Sequence, residues 1–257
     1  MVVAPVLPAN QAQHSVRTRG YAVVPDVFTP TECARIADIA MRVASEQMAK
    51  APDEAFTVDR DDQGHIAPRK VDYPFLKNPD FRAFILDERL QTLVALALGR
   101  PGYLMRDQLF CKPPYFGTAK PYHQENASLQ YTPPEDMLVT WIALDDATEE
   151  NGCLRVVDGS HRRLWPHAPM PGATYNHVPP PEAVDLDHEV LLPVPAGGVV
   201  ILHSQVLHAS HPNPTAEWRR AYTAHWVTDR VRCATDAQRY GYSLTTGGGE
   251  RCAHRAP

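Results

Sequence analysis

The sequence predicts a mainly β protein, a sandwich or barrel with helices packed on it, and three observations carry that expectation. Before residue 100 the apolar residues follow helical spacing between recognisable caps. After Pro101 short β-rich runs are separated by Pro, Gly, Asn and Asp, the pattern of strands joined by turns. The length, 257 residues with 44% hydrophobic content, suits one sizeable core, and an all-β domain of this size can stay undivided. A single domain over residues 1–257 is therefore expected.

In chain order, residues 1–15 carry no packing signal and are expected to be flexible. In FTPTECARIADIAMRVASEQM, Thr29, Pro30 and Glu32 form a capping box with proline at the first helical position, and Ile36, Ile39, Ala40 and Val43 continue on one face. A short helical piece follows Asn78-Pro79, and a longer helix begins near Asp87, with Leu90, Leu93, Val94 and Ala97 on one face and Gly99 as its C-terminal cap. Strands are expected at YLMRDQLFC, MLVTWIAL, CLRVV, EVLLPV, GVVILH and RAYTAHWV. Asn151-Gly152 reads as a tight turn, and Gly197-Gly198 as a turn before the strand bearing a histidine ligand. Segments 53–72 and 164–188 are polar or proline-rich and long for connections, so they are active-site lids or surface excursions. Residues 245–257 read as a flexible tail.

Composition excludes several classes. A net charge of −5 and a pI near 6.2 give no field for phosphate backbones, so nucleic acid is not expected as a partner. No segment reaches about 18 apolar residues, and the N-terminus lacks a signal-peptide pattern, so a cytoplasmic protein with no membrane partner is expected. The five cysteines are scattered and contain no CxxC pair, which reads as reduced, mostly buried thiols.

The chemistry-bearing stretch is KPYHQENAS. On an extended strand His123 and Glu125 would share a face, Gln124 pointing away. An imidazole and a carboxylate suit a divalent metal, and two histidines with one carboxylate form the facial triad of non-haem iron enzymes. The stretch GGVVILHSQVLHASHPNP offers His203, His208 and His211 as the third donor, and spacing alone leaves all three open.

Read together, KPPYFGTAKPYHQENA, WIALDDATEENGCLRVVDGSH and GGVVILHSQVLHASHPN followed by an arginine resemble the phytanoyl-CoA dioxygenase family over about residues 19–230, the opening GYAVVPDVFTPTECARI included. The resemblance implies a double-stranded β-helix core, a cupin-like jelly roll, with N-terminal helices packed on it. It also implies Fe(II) as metal, 2-oxoglutarate as cosubstrate and dioxygen as oxidant. Carried over residue by residue, it makes His123, Glu125 and His208 the metal ligands. The family's 2-oxoglutarate anchor lies eleven positions beyond the distal histidine, which makes it Arg219 rather than Arg220; strand alternation adds that only one of two adjacent arginines can face the interior. The family usually has aspartate where this chain has Glu125, and a carboxylate there argues against the related halogenases. Trp141 is a candidate lining residue of the 2-oxoglutarate pocket, and Lys112 and Gln108, of one parity on their strand, are candidates to face anionic or polar groups. His161 reads as a loop tie, not a ligand.

The expected activity is oxidation, by default hydroxylation, of a C–H bond in a small organic molecule such as a secondary metabolite, releasing succinate and CO2. Two rivals use the same scaffold: metal-assisted hydrolysis or isomerisation, and a binding module without catalysis. Arg219 discriminates, since it has a defined task only if 2-oxoglutarate binds. Arg69, Lys70, Arg162, Arg163 and His167 are available to meet an acidic substrate.

Overall fold

The computed structural model describes residues 2–50, 57–233, 243–244 and 250–251. Helices form where the caps lie. Helix α2 (Pro30–Lys50) opens on a reciprocal box in which the Thr29 amide donates to Glu32 Oε2 (2.7 Å) and the Glu32 amide to Thr29 Oγ1 (3.2 Å). Helix α5 (Glu88–Leu98) starts with the Asp87 carboxylate accepting from the Arg89 amide and stops at Gly99, whose φ of 72° only glycine adopts without strain. Between them lie α3 (Pro74–Lys77) and α4 (Pro79–Ile85), the latter capped by Asn78.

The expectation of a flexible N-terminus is corrected for residues 2–15. Strand β1 (Val2–Val3) pairs in parallel with β13 (Glu189–Leu192), and α1 (Ala12–Arg19) begins with a fully buried Ala12. An apolar VV pair satisfies its backbone on an open sheet edge, a long-range contact that composition cannot report.

The β-rich half forms two sheets. In the larger, β6 (Tyr103–Lys112), β16 (Arg219–Val227), β9 (Met137–Ala143), β14 (Val199–His203) and β2 (Tyr21–Val24) follow one another antiparallel. In the smaller the order is β1, β13, β10 (Leu154–Val157), β15 (His208–Ser210) and β7 (Lys120–His123). The arrangement is the expected double-stranded β-helix, or jelly roll, with helices against the outer face of the larger sheet.

Strand alternation divides the apolar residues between two cores. Leu138, Ile142, Tyr222 and Trp226 pack on the helices with Ile36, Phe81 and Leu93, whereas Val139, Trp141 and Ala143 meet Leu154, Val156 and Leu191 of the smaller sheet. Each fully buried large side chain contributes about 1.5–3 kcal/mol. Val139, Trp141, Leu154 and Leu202 of this second core also line the cavity that contains the polar site.

The two long segments are structured rather than simple excursions. Within 53–72, where 53–56 lie outside the described residues, β3 (Val58–Arg60) and β4 (Ile66–Pro68) form a hairpin. Asp61 Oδ1 caps its turn by accepting from the amides of Gln63 and His65. Strand β5 (Lys70–Asp72) then extends the larger sheet along β6. Further on, β8 (Tyr131–Thr132) pairs with β17 (Arg232–Cys233), and within 164–188 β11 (Ala168–Met170) and β12 (Ala173–Val178) form a hairpin whose Asn176 accepts from Lys120 of β7. The predicted tail over 245–257 lies outside the described residues except for β19 (Glu250–Arg251), which pairs with β18 (Ser243–Leu244). Cys33, Cys111 and Cys153 are free and buried, and burial pushes their thiols up to about 12, 12 and 11.

Candidate metal centre

His123 and His208 meet because β7 and β15 are neighbours in the smaller sheet and pair these two residues directly across the ladder. Their ring centroids are 4.2 Å apart. Each ring is fixed by its far nitrogen: His123 Nδ1 donates to the Pro121 carbonyl and His208 Nδ1 to the Val206 carbonyl, both at 3.0 Å. That tautomer leaves the Nε2 lone pairs directed into the site, the form a metal requires. Burial, with His208 adjacent, pushes His123 down to about 4, so it is neutral.

Glu125 arrives differently from the expectation. The strand ends at His123, and Glu125 is the first residue of the one-turn helix α6 (Glu125–Leu129), so strand parity is not what brings it beside His123. The turn is clamped on both sides. The Gln124 side chain donates to the carbonyls of Arg163 and Gln205 and accepts from the Trp165 amide; Asn126 bonds both the amide and the carbonyl of Tyr131. Glu125 Oε1 then stands 3.2 Å from His123 Nε2 and 3.6 Å from His208 Nε2. Donor atoms of the three residues all lie within 4.8 Å of one another, which makes them the metal-capable group among the described residues.

A fourth residue, His225 on β16, was missed in the sequence. Its Nε2 lies 3.1 Å from Glu125 Oε2, and its side chain is 1% exposed. A signal existed: Arg219, Ala221, Thr223 and His225 share one parity of RRAYTAHWV and hence one face. Burial alone would raise the Glu125 carboxyl, but the field of His225 and its hydrogen bond to Oε2 hold it well below the usual range.

A cavity of about 90 Å³ opens from the triad toward Arg219, lined also by Trp141, Ser210 and Thr223. Arg219 is 3% exposed, its guanidinium carbon lies 5.4 Å from the Trp141 ring centre, and its Nε and Nη1 have no hydrogen-bond partner. Burial, only partly opposed by the charges of Asp145 and Asp59, pulls it down to about 10. Thr223 Oγ1 is a further buried atom without a partner. Arg220, by contrast, faces outward and holds Asp145 through two bonds of 2.8 and 2.7 Å.

The other sequence candidates separate. Lys112 lines the same cavity beside Arg219, but its ammonium donates to the carbonyls of Thr118 (2.6 Å) and His211, and burial pushes it down to about 6. Gln108 lies on a second cavity of about 530 Å³ and donates to Asp72. His123 and Glu125 line both cavities, so the centre sits in the wall between them. Arg69, Lys70 and His167 reach the second cavity; Arg162 instead binds the Thr18 carbonyl, and Arg163 stacks on Trp165. His161 ties its loop to the Arg17 carbonyl at 3.0 Å. His203 lies against His161, 5.0 Å between rings, in a separate cavity. The glycine turn, with Gly197 at φ 93°, precedes β14 and thus His203; His208 belongs to the next strand, a second correction to the expectation.

The donor set and its surroundings fit Fe(II) with a 2-oxo dicarboxylate. Two neutral imidazoles and a carboxylate match the facial triad, and the orphaned guanidinium lies at the end of the same cavity, where a carboxylate would complete it. The model of the phytanoyl-CoA dioxygenase family matches residues 16–221. A mouse protein, phytanoyl-CoA dioxygenase domain-containing protein 1, is 36% identical over 156 residues, 58% of this chain and 53% of that one. A rice phytanoyl-CoA dioxygenase 1 is 31% identical over 165 residues, 63% of this chain and 58% of that one. The match thus spans about half the length of these curated relatives. AviO1 from Streptomyces viridochromogenes Tue57 superposes with a TM-score of 0.67 at 23% identity, covering 88% of this chain and 97% of that one. The epimerase SnoN, solved with Fe3+, α-ketoglutarate and nogalamycin RO, superposes with a TM-score of 0.69 at 19% identity, covering 94% and 91%. At these identities the two structures establish the fold.

Proposed function

The chain belongs to the phytanoyl-CoA dioxygenase family, and on that footing we propose that it is an Fe(II)- and 2-oxoglutarate-dependent oxygenase that hydroxylates a C–H bond of a small organic molecule. The observation that carries the reading is the buried guanidinium of Arg219, whose Nε and Nη1 have no hydrogen-bond partner among the described residues and which opens to the cavity that contains His123, Glu125 and His208. Hydrolysis at the same metal site would leave that costly group without a task.

In this reading His123, Glu125 and His208 hold the iron. When bound with 2-oxoglutarate, it supplies the oxidising chemistry: dioxygen is reduced, the 2-oxo acid is split to succinate and CO2, and a substrate C–H bond is oxidised. Arg219 holds the distal carboxylate of 2-oxoglutarate through paired N–H donors, a planar geometry that lysine does not reproduce. Thr223 supplies a hydroxyl donor beside it, and Trp141 forms the apolar wall that keeps water from the pair. His225 donates to the outer oxygen of Glu125, leaving Oε1 for the metal. Lys112, already satisfied by two carbonyls, braces the cavity floor. The substrate enters from the second cavity, and whichever of its C–H bonds is held against the shared wall is the one oxidised. Epimerisation, the activity of the structural neighbour SnoN, would differ from hydroxylation in the fate of the substrate after hydrogen removal.

The test is anaerobic loading with Fe(II) and 2-oxoglutarate, followed by oxygen and measurement of succinate and substrate mass across a metabolite panel. A perturbed Fe(II) spectrum and oxygen-dependent succinate release are expected. No spectral change and no consumption of 2-oxoglutarate would sink the reading.

A further inference from the structure

The second cavity is more basic than iron and 2-oxoglutarate chemistry requires. Arg69, Lys70, Arg106 and Lys120 line it, with His167 and His177 beside them, and Glu125 is the one carboxylate in its lining among the described residues. Two further carboxylates stand behind these cations. Asp72 lies 2.9 Å from Lys70 and 3.5 Å from Arg106, and Asp59 lies 3.8 Å from Arg69 while also accepting from Thr118 Oγ1. With Glu125 committed to the metal, Asp59 and Asp72 are, among the described residues, the carboxylates with ion pairs to these four cationic side chains.

The shortfall is local. Lys120 Nζ donates to the neutral amide oxygen of Asn176 at 2.8 Å, and Arg106 Nε is buried without a hydrogen-bond partner. Burial, opposed by the attraction of Glu125 and reinforced by the charges of Arg69 and Lys70, presses the Lys120 ammonium below its usual range. Positive charge held partly out of water is costly until an anion completes it, and a cleft lined by one sign concentrates the opposite ion. Arg69 and Lys120 border both cavities, but Lys70 and Arg106 line only the second and Arg219 only the first, so the anion at Arg106 is not 2-oxoglutarate's distal end.

We propose that the second cavity is the substrate site and that the substrate is a small anion, carrying a carboxylate or phosphate group that seats against Arg106 and Lys120 while a C–H bond faces the metal wall. The inference rests on the oxygenase reading above. A volume of about 530 Å³ suits a small metabolite. The hairpin of β11 and β12, which supplies Asn176 and His177, covers it.

The experiment loads the full chain anaerobically with Fe(II) and 2-oxoglutarate. It is then titrated with 4-phenylbutyrate, 4-phenylbutyl phosphate and 4-phenylbutanamide, following the heat of binding and the visible Fe(II)–2-oxoglutarate band. At least one anion is expected to bind about tenfold or more tightly than the amide, and the preferred anion identifies the group. That preference should shrink as ionic strength rises. Arg106→Gln and Lys120→Gln should each reduce it while the 2-oxoglutarate band still forms. Equal binding of anions and amide, no anion binding, or a preference indifferent to salt and to both substitutions would overturn the proposal. Failure of the band to form with 2-oxoglutarate alone would instead overturn the oxygenase reading, and anion binding by heat remains measurable in that case.

Discussion

The outer carboxylate oxygen of Glu125 is 3.1 Å from Nε2 of His225, while its inner oxygen faces His123 at 3.2 Å and His208 at 3.6 Å. One carboxylate is therefore shared between a supporting histidine and two prospective co-ligands. Glutamate has one more rotatable bond than the family's usual aspartate, and a buried hydrogen bond to its far oxygen removes that freedom.

His225→Leu is accordingly expected to lower Fe(II) affinity by about 10–100-fold, and His225→Gln, which keeps an N–H donor, to recover much of it. Metal titration by calorimetry measures both. Unchanged affinity in the leucine variant would show that Glu125 needs no such support.

The distal ligand is tested by comparing three alanine variants. His208→Ala should abolish iron binding, whereas His203→Ala and His211→Ala should retain it, because neither residue belongs to the donor group around Glu125. Equal losses in all three would refute the ligand set.

Arg219→Leu should leave the metal-free protein as stable as before or more so, since replacing a buried charge that has no partner removes its desolvation cost. Affinity for 2-oxoglutarate should fall by about 100-fold, the value of a bidentate charge-assisted pair, with iron affinity retained. Arg219→Lys should not restore it. Denaturant unfolding and 2-oxoglutarate titration separate the two effects.

Stability should fall on acidification below pH 6.5 partly because of His203. Burial pushes its folded-state value down to about 4 from an ordinary 6.5, and its Nδ1 accepts from the Gln205 amide, a bond that protonation ends. A depressed folded value means the unfolded chain binds the proton first. The contribution is therefore fully present above 6.5 and is lost as pH falls toward 4, on the order of 3 kcal/mol in all. His203→Gln should flatten the pH dependence of unfolding across that window, and an unchanged slope would rule the residue out as its source.

Local sequence determined a good deal of this protein. The capping box at Thr29, the glycine stop at Gly99 and the alternation in MLVTWIAL are decided within one helical turn or one strand, so they were readable and formed where expected. Alternation likewise required Arg219 and Arg220 to face opposite ways, and they do, one buried beside the triad cavity and the other paired with Asp145. Tertiary structure decided the rest. His123 and His208 are 85 positions apart, and their meeting is set by the pairing of β7 with β15, which no short window encodes. Glu125 joins them through a helical turn clamped by Gln124 and Asn126 to distant loops, and His225 reaches it from the opposite sheet. The charge of the second cavity likewise exists only once β5, β6, β7 and the β11–β12 hairpin converge. The physical division is one of range: hydrogen bonds between near neighbours fix the elements, and burial between distant segments fixes what those elements hold between them.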